Sequence, residues 1–501
     1  MTYDIIIFTD MGVRLGHVKP LGAYRLASEL RSHGYSVKVL DYTSRLMSNQ
    51  LLFRSLLDSL IGSNTLFVGW SSTFFGDSQW GDSWQENLYP VDNVDTFKIW
   101  LKYIKKKNPT TKIAYGGTRA LETADLVDEI DYVVVGLADK VVVDLANHLK
   151  NNTTLKYRPS VNKRWKILDY DPLGAGFDFK NSQTQFEETD HVALGETLIM
   201  ETSRGCMFKC KFCSYPLLGR KKTDPEYHKH QDCISREFQR NWQKFGVKRY
   251  VIVDDTFNET VDKLQSIVRA RDAAGVDVEL TAYLRLDLIA RYPEQIHLLK
   301  EMNCKGGFFG VESLNEKSSA SIGKGGSSDR LKDTLYQIKD TLGNQFSSTV
   351  SFIAGLPYET PETLTCAMDW VSQPESPVDN FTFRELMITN SVWPSEFLRD
   401  YKKYGYTLDQ NSRWSNDIWD QGQASELAKK FNSVGYTSGK NKLTNFQLFY
   451  IALNKELSEF KDTPMKELNR QQIVKDTDSM YIGYVKSMLD FENIKFDREK
   501  I

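Results

Sequence analysis

Apolar residues in the first 150 positions come in short β-rich runs, separated by stretches with helical spacing. The runs Asp4 to Thr9, Ser36 to Leu40, Thr65 to Trp70, Lys112 to Tyr115 and Asp131 to Val135 predict strands. Between the first two, Leu21, Tyr24, Leu26, Ala27 and Leu30 recur at helical spacing within Pro20 to His33, and Gly34 is placed to end that helix. The repeated strand, helix, strand order predicts a doubly wound, Rossmann-like parallel sheet. Such sheets bind ligands at the carboxyl ends of their strands, which here carry Ser71, Ser72, Gly116, Gly117 and Gly136. Each of these is also an ordinary turn residue.

Residues 151–195 lose the periodicity and collect Asn, Pro, Gly, Gln and Thr, which predicts a linker packed across a neighbour. A second series follows over 196–390, with strands predicted at Glu196 to Glu201, Arg249 to Asp254, Val278 to Leu284, Gly306 to Val311, Ser348 to Ala354 and Asn380 to Met387. The intervals hold helices such as Asp232 to Phe245, Thr260 to Ala273 and Ser328 to Leu342. Six βα units in line predict a partial (β/α)6 barrel. Residues 391–501 turn to helical patterns, notably Asn445 to Phe460 and Tyr481 to Phe491, and are expected to form a separate, mostly α-helical region of an α/β protein.

Composition bounds the function classes. A chain of 501 residues with 41% hydrophobic content is a folded protein of several domains, and a formal net charge of -2 gives no overall field to hold a polyanion. No apolar run approaches the ~20 residues that cross a bilayer, and the start MTYDIIIF reads as neither signal peptide nor anchor. Six Cys are too few for a disulfide scaffold, and three of them fall within eight positions. That distribution predicts a reducing, cytoplasmic setting and a metal site.

The segment RGCMFKCKFCSYP sets Cys206, Cys210 and Cys213 in a C-x3-C-x2-C array directly after a predicted strand, at the end where barrel enzymes keep their chemistry. Three thiolates from one loop hold three corners of a [4Fe-4S] cluster and leave one iron open to a ligand. The alternative is a structural zinc site, which wants four ligands, and His228 and His230 nearby lack the usual paired spacing. Cys233, Cys304 and Cys366 read as buried small hydrophobes.

With this loop, and the aromatic Phe212 before its last Cys, the chain over about 196–390 resembles the radical S-adenosylmethionine (SAM) superfamily. The resemblance implies a cluster-bound SAM that one electron cleaves to a 5'-deoxyadenosyl radical. It places Asp254 and Asp255 in VDDTFN at the SAM amino group, and Arg285 in YLRLD on the SAM carboxylate. Glu312 and Ser313 in GVES would meet ribose or methionine atoms, and Ile353 and Gly355 in FIAGLPYET the adenine. It also implies an external electron donor such as flavodoxin or ferredoxin, and a substrate, small molecule or peptide, that the sequence does not name.

The amino-terminal sheet resembles the cobalamin-binding domain found in front of some radical SAM barrels, through pieces such as VGWSSTFF, IAYGGTRA and YVVVGLADK. The Asp-x-His-x-x-Gly loop that supplies an axial imidazole in many cobalamin proteins is absent, since Asp10 to Leu15 has neither His nor Gly in place, although His17 is close by. The implied activity is methyl transfer to an unactivated carbon or to phosphorus. A radical SAM enzyme without cobalamin, catalysing rearrangement, epimerisation or ring formation, and a non-enzymatic Fe-S protein are the other readings. The aromatics from Trp393 to Tyr436, including Tyr401, Tyr404, Tyr406, Trp414 and Trp419, are expected to be core of a lid more than a stacking surface. Lys105 to Lys107 and Arg220 to Lys222 are expected to be solvated basic runs.

Overall fold

The computed structural model describes residues 2–10, 18–71, 93–117, 120–124, 127–160, 164–169, 176–215, 218–220, 225–388, 394–460 and 472–501. Ser72, His17, Trp393, Lys221 and Lys222 lie outside them. The chain forms two compact units: residues 1–178, 182–194 and 473–501 make the first, and residues 179–181 and 195–472 the second.

In the first unit the predicted runs become β1 (Ile5–Phe8), β2 (Val37–Leu40), β3 (Phe67–Ser71), β4 (Lys112–Gly117) and β5 (Tyr132–Val135). The expected linker supplies two further strands, β6 (Arg158–Pro159) and β7 (Lys166–Asp169), and the sheet order is β2-β1-β3-β4-β5-β7-β6. All pairings are parallel except β6 on β7. Lys166–Asp169 carries only two apolar residues between charged ends, where β1 and β5 are continuous apolar runs, which is why β7 was illegible as a strand. β1 is buried at every position, as a central parallel strand covered on both faces must be. The helix Leu21–Ser32 ends as expected, with Gly34 at φ +82°.

The C-terminal helix is not part of a separate region. Ile473–Phe491 lays Tyr481, Tyr484, Val485, Met488 and Leu489 against the sheet face formed by Ile6, Phe8, Leu40, Val68 and Trp70, together with Gln50–Leu60 and Asn93–Lys107. Its apolar face at helical spacing was visible in the sequence; its partner, more than 400 residues away, was not.

The second unit is built on β8 (Leu198–Met200), β9 (Arg249–Ile252), β10 (Glu279–Leu284), β11 (Cys304–Glu312), β12 (Ser347–Ala354) and β13 (Asn380–Glu385). They lie in strict sequence order and are all parallel, the topology of an open (β/α)6 half-barrel. Tyr250 faces the helix Gln231–Phe245 through Phe238, whereas Tyr283 and Phe308 face the opposite, concave side and meet Phe446 with ring centroids 5.0 and 5.6 Å apart. Phe446 sits on a six-residue helix, Asn445–Tyr450, that plugs this concave side. The expected long helix to Phe460 breaks there, and Ala452 takes φ +57°.

Residues 394–460 therefore belong to the half-barrel unit. The helix Gln421–Thr437 packs on β13, with Phe431 edge-on to Phe383 at 5.1 Å, and Tyr406, Trp414 and Trp419 are buried. Tyr436 stays exposed. Two smaller expectations are corrected. Cys233 and Cys304 are buried but Cys366 is exposed. Arg220 is not solvated: it is buried, with Nη2 donating to both Glu259 oxygens at 2.6 and 2.8 Å. No helix among the described residues is long and apolar enough to cross a membrane.

Candidate functional site

The cysteine loop starts where β8 ends, and a buried carboxylate fixes that start. Asp254, just past β9, accepts the Thr202 and Ser203 amides at 2.6 and 3.0 Å on one oxygen. Its other oxygen takes the Thr202 hydroxyl and the Lys263 ammonium, the latter at 2.8 Å. Burial alone would raise its pKa, but Lys263 and the Thr202 bonds outweigh it and hold the carboxyl below its usual range. Gly205 then turns the chain at φ +70°, and the Cys206 carbonyl accepts the Gly219 amide at 2.7 Å, so the loop closes on itself. Lys211 ties the far side, donating its amide to Ile322 at 3.1 Å and accepting that of Phe397 at 3.0 Å.

Each of the first two thiols has its own neighbours. Cys206 Sγ lies 3.3 Å from Thr256 Oγ1 and accepts the Phe208 amide at 3.4 Å. Cys210 Sγ accepts Arg285 Nη1–H at 3.3 Å. All three cysteines are free of disulfides. Burial pushes the Cys206 thiol up, and the Cys213 thiol up to about 12, so a metal must displace the protons to bind. Among the described residues no three metal-ligating side chains converge as one zinc ion would require. A cubane cluster asks for something different, one thiolate for each of three irons, and three free thiols on one closed loop fit that donor set.

The neighbouring strand ends surround this loop. Asp255 reaches solvent yet is surrounded by protein, so burial, then the charge of Asp254, pushes its carboxyl up to about 6. Arg285, at the end of β10, is buried and bonded to Asp287. Glu312 adopts φ +65°, a left-handed conformation uncommon for a side-chain-bearing residue, and is held by Lys324 at 3.0 Å and the Ser351 hydroxyl at 3.2 Å. Ser313 is fully buried and donates its hydroxyl to Glu359. Ile353 is half-buried, and Gly355 turns at φ +95° directly against the Trp414 ring, which a Cβ would meet at 2.2 Å. Phe212 is half-buried in the loop.

Lys263 and Lys324 were missed in the sequence because they sit away from the strand-end motifs, and Thr256 and Asp287, inside VDDTFN and YLRLD, because a motif does not show which side chain meets which. Tyr283 and Tyr450 share a hydrogen bond on the concave face, with Tyr215 and Arg384 near enough for their charges to act on Tyr283. This group also had no sequence signal, since it joins the cysteine loop, two strands and the plug helix.

In the first unit, strand register sets Ser71 beside Gly116 and Gly117 beside Val135, so Ser71, Gly116, Gly117 and Gly136 line one carboxyl edge. Gly117 and Gly136 have φ of +120° and +83°, conformations that glycine alone adopts easily.

Residues 200–371, which span the cysteine loop and its surrounding strand ends, match the radical SAM superfamily. The chain carries a radical SAM domain. Radical SAM domains use a [4Fe-4S] cluster and SAM, and they need a reductant and a substrate. An uncharacterized methyltransferase of Pyrococcus horikoshii is 27% identical over 390 residues, which is 75% of this chain and 77% of the relative. The hopanoid C-2 methylase of Rhodopseudomonas palustris is 24% identical over 289 residues, 56% of this chain and 51% of the relative. Among solved structures, the radical SAM methyltransferase TsrM of Kitasatospora setae, with tryptophan substrate and a SAM analogue bound, superposes with TM-score 0.58 at 16% identity, covering 80% of this chain and 77% of TsrM. The apo form of OxsB, a cobalamin-dependent SAM radical enzyme, gives TM-score 0.55 at 14% identity, covering 99% of this chain and 74% of OxsB. These structural likenesses concern the fold.

Proposed function

We propose that this chain is a cobalamin-dependent radical SAM enzyme that transfers a methyl group to an unactivated carbon or to phosphorus. The observation that carries this reading is the closed loop of Cys206, Cys210 and Cys213 at the carboxyl end of an open parallel half-barrel. Its coupling to cobalamin is supported by the doubly wound sheet in the same chain, and by methylases among the relatives.

Cys206, Cys210 and Cys213 would hold the cluster. Asp255 and Glu312 would face the polar end of SAM, Phe212, Ile353 and Gly355 its flatter parts, and Ser313 would set the turn beneath. Asp254 has its described bonds to the chain itself, and so acts by placing the loop. The cluster, when bound, supplies the electron that cleaves SAM to a 5'-deoxyadenosyl radical. The tyrosines 215, 283 and 450 and Arg384 would line the substrate's approach and keep water from the radical. In the first unit, Ser71, Gly116, Gly117 and Gly136, with Ser72 beyond the described residues, would receive cobalamin, which when bound carries the methyl group. A flavodoxin or ferredoxin in the cytoplasm would supply the electron.

Anaerobic purification with iron, sulfide and corrinoid analysis tests this reading. About four irons, four sulfides and one corrinoid per chain are expected. A full cluster without corrinoid after reconstitution would reject the methyl-transfer reading; absence of the cluster would reject the whole.

A further inference from the structure

Arg285 is committed to its own chain at almost every donor. A guanidinium has five N–H donors, and four of them are committed here. Nε and Nη2 donate to the two oxygens of Asp287 at 3.0 and 2.6 Å, the two-point geometry in which Arg binds a carboxylate. Nη2 also reaches the Gly323 carbonyl at 3.3 Å, and Nη1 donates to Cys210 Sγ at 3.3 Å. The guanidinium carbon sits 4.0 Å from the centroid of the Phe208 ring, on the same loop as Cys210. The side chain is only 8% exposed, so it has little room to swing to another partner.

We propose that Arg285 is a positioning residue for the cluster: it clamps the cysteine loop through Phe208, donates to the Cys210 thiolate, and thereby raises the cluster's reduction potential. This rests on the radical SAM reading above. Asp287, already on the fork, takes the place that a SAM carboxylate would need. A donor to a ligating sulfur favours the reduced, more negative cluster, so its loss makes reduction harder. Asp287 orients the fork and keeps it charged.

The test is an EPR-monitored redox titration of the anaerobically reconstituted full chain, parent and Arg285→Gln, with SAM affinity measured in parallel by equilibrium dialysis on the oxidised cluster. Equal iron and sulfide in the two proteins establish that the cluster itself is intact, so that the radical SAM reading is judged separately. The expected result is a cluster about tenfold harder to reduce, a midpoint about 59 mV more negative for one electron, with SAM affinity held within about threefold. An unmoved midpoint, with SAM affinity falling about ten- to a hundredfold as for a lost charge-assisted contact, would overturn the proposal. Should Arg285→Gln fail to take up iron, Asp287→Asn replaces it. That variant keeps the guanidinium on Cys210 without its counter-charge, so the midpoint should become less negative; no change would equally overturn the proposal.

Discussion

Lys263 Nζ lies 2.8 Å from Asp254 Oδ2, with side-chain exposures of 4% and 0%, directly behind the start of the cysteine loop. The pair converts a strand end into a fixed platform, because the same carboxylate also bonds the Thr202 and Ser203 amides. Asp254→Asn would leave Lys263 with Glu259 at 3.3 Å and with the Ser203 hydroxyl and the Thr256 carbonyl at 2.7 and 3.1 Å. Removing one partner of a buried pair costs about 3–5 kcal/mol when the other charge is left uncompensated, and less than that here because Glu259 remains. The variant should unfold at lower denaturant and hold less iron after anaerobic purification. Unchanged stability with weakened SAM binding would instead make Asp254 a direct SAM contact.

Gly355→Ala should damage SAM binding through the backbone. The position has φ +95°, and a new Cβ would meet two Trp414 ring atoms at 2.2 and 2.5 Å. Trp414 cannot retreat easily, since it is buried and its Nε1 donates to the Leu386 carbonyl at 2.6 Å. Overpacking of this kind costs about 1–3 kcal/mol. SAM affinity measured on cluster-loaded protein should fall; affinity equal to the parent would show that this turn does not shape the site.

His191 makes the first unit sensitive to acid. Its Nε2 accepts from buried Lys38 at 2.8 Å and its Nδ1 lies 3.0 Å from Ser487 Oγ, so the ring is the neutral, Nδ1-protonated form. Burial, then the charges of Lys38 and Lys19, lowers its pKa from 6.5 to about 2. Between those values the unfolded chain binds a proton that the folded one refuses, so stability falls as pH drops. From pH 7 to pH 5 the loss from this group is about 2 kcal/mol. Denaturant unfolding of His191→Gln should show a correspondingly shallower decline over that interval; a slope identical to the parent's would contradict the assignment.

The sequence exposed what depends on local pattern. All six half-barrel strands and the cysteine loop were legible, because buried parallel strands are continuous apolar runs and the loop has a fixed spacing. Features that depend on distant partners were not legible. Lys263 looks like a surface charge on a helix until the strand ends meet it, and the bond of Arg285 to Asp287 forms only because the chain turns into the helix Leu286–Arg291 directly after β10. Within the linker expected at 151–195, Lys166–Asp169 is a strand for the same reason, because β5 lies alongside it.

Corrinoid binding has a clean steric test at Gly116. Here an added Cβ would come only to ordinary contact, 3.5 Å from Val134 Cβ, so Gly116→Val should leave the sheet intact. Gly117 is unsuitable, as its φ of +120° would strain any side chain. Gly116→Val should fold with the parent's thermal stability and take up no corrinoid after reconstitution. Full corrinoid uptake would remove this strand edge from the binding site.

The most direct measurement is the yield of 5'-deoxyadenosine from SAM, by reconstituted protein under dithionite and without oxygen. The parent should produce it, and replacing Cys206, Cys210 or Cys213 with Ala should abolish it while the protein remains folded. A triple Ala variant that retained the parent's iron and its 5'-deoxyadenosine yield would contradict the account.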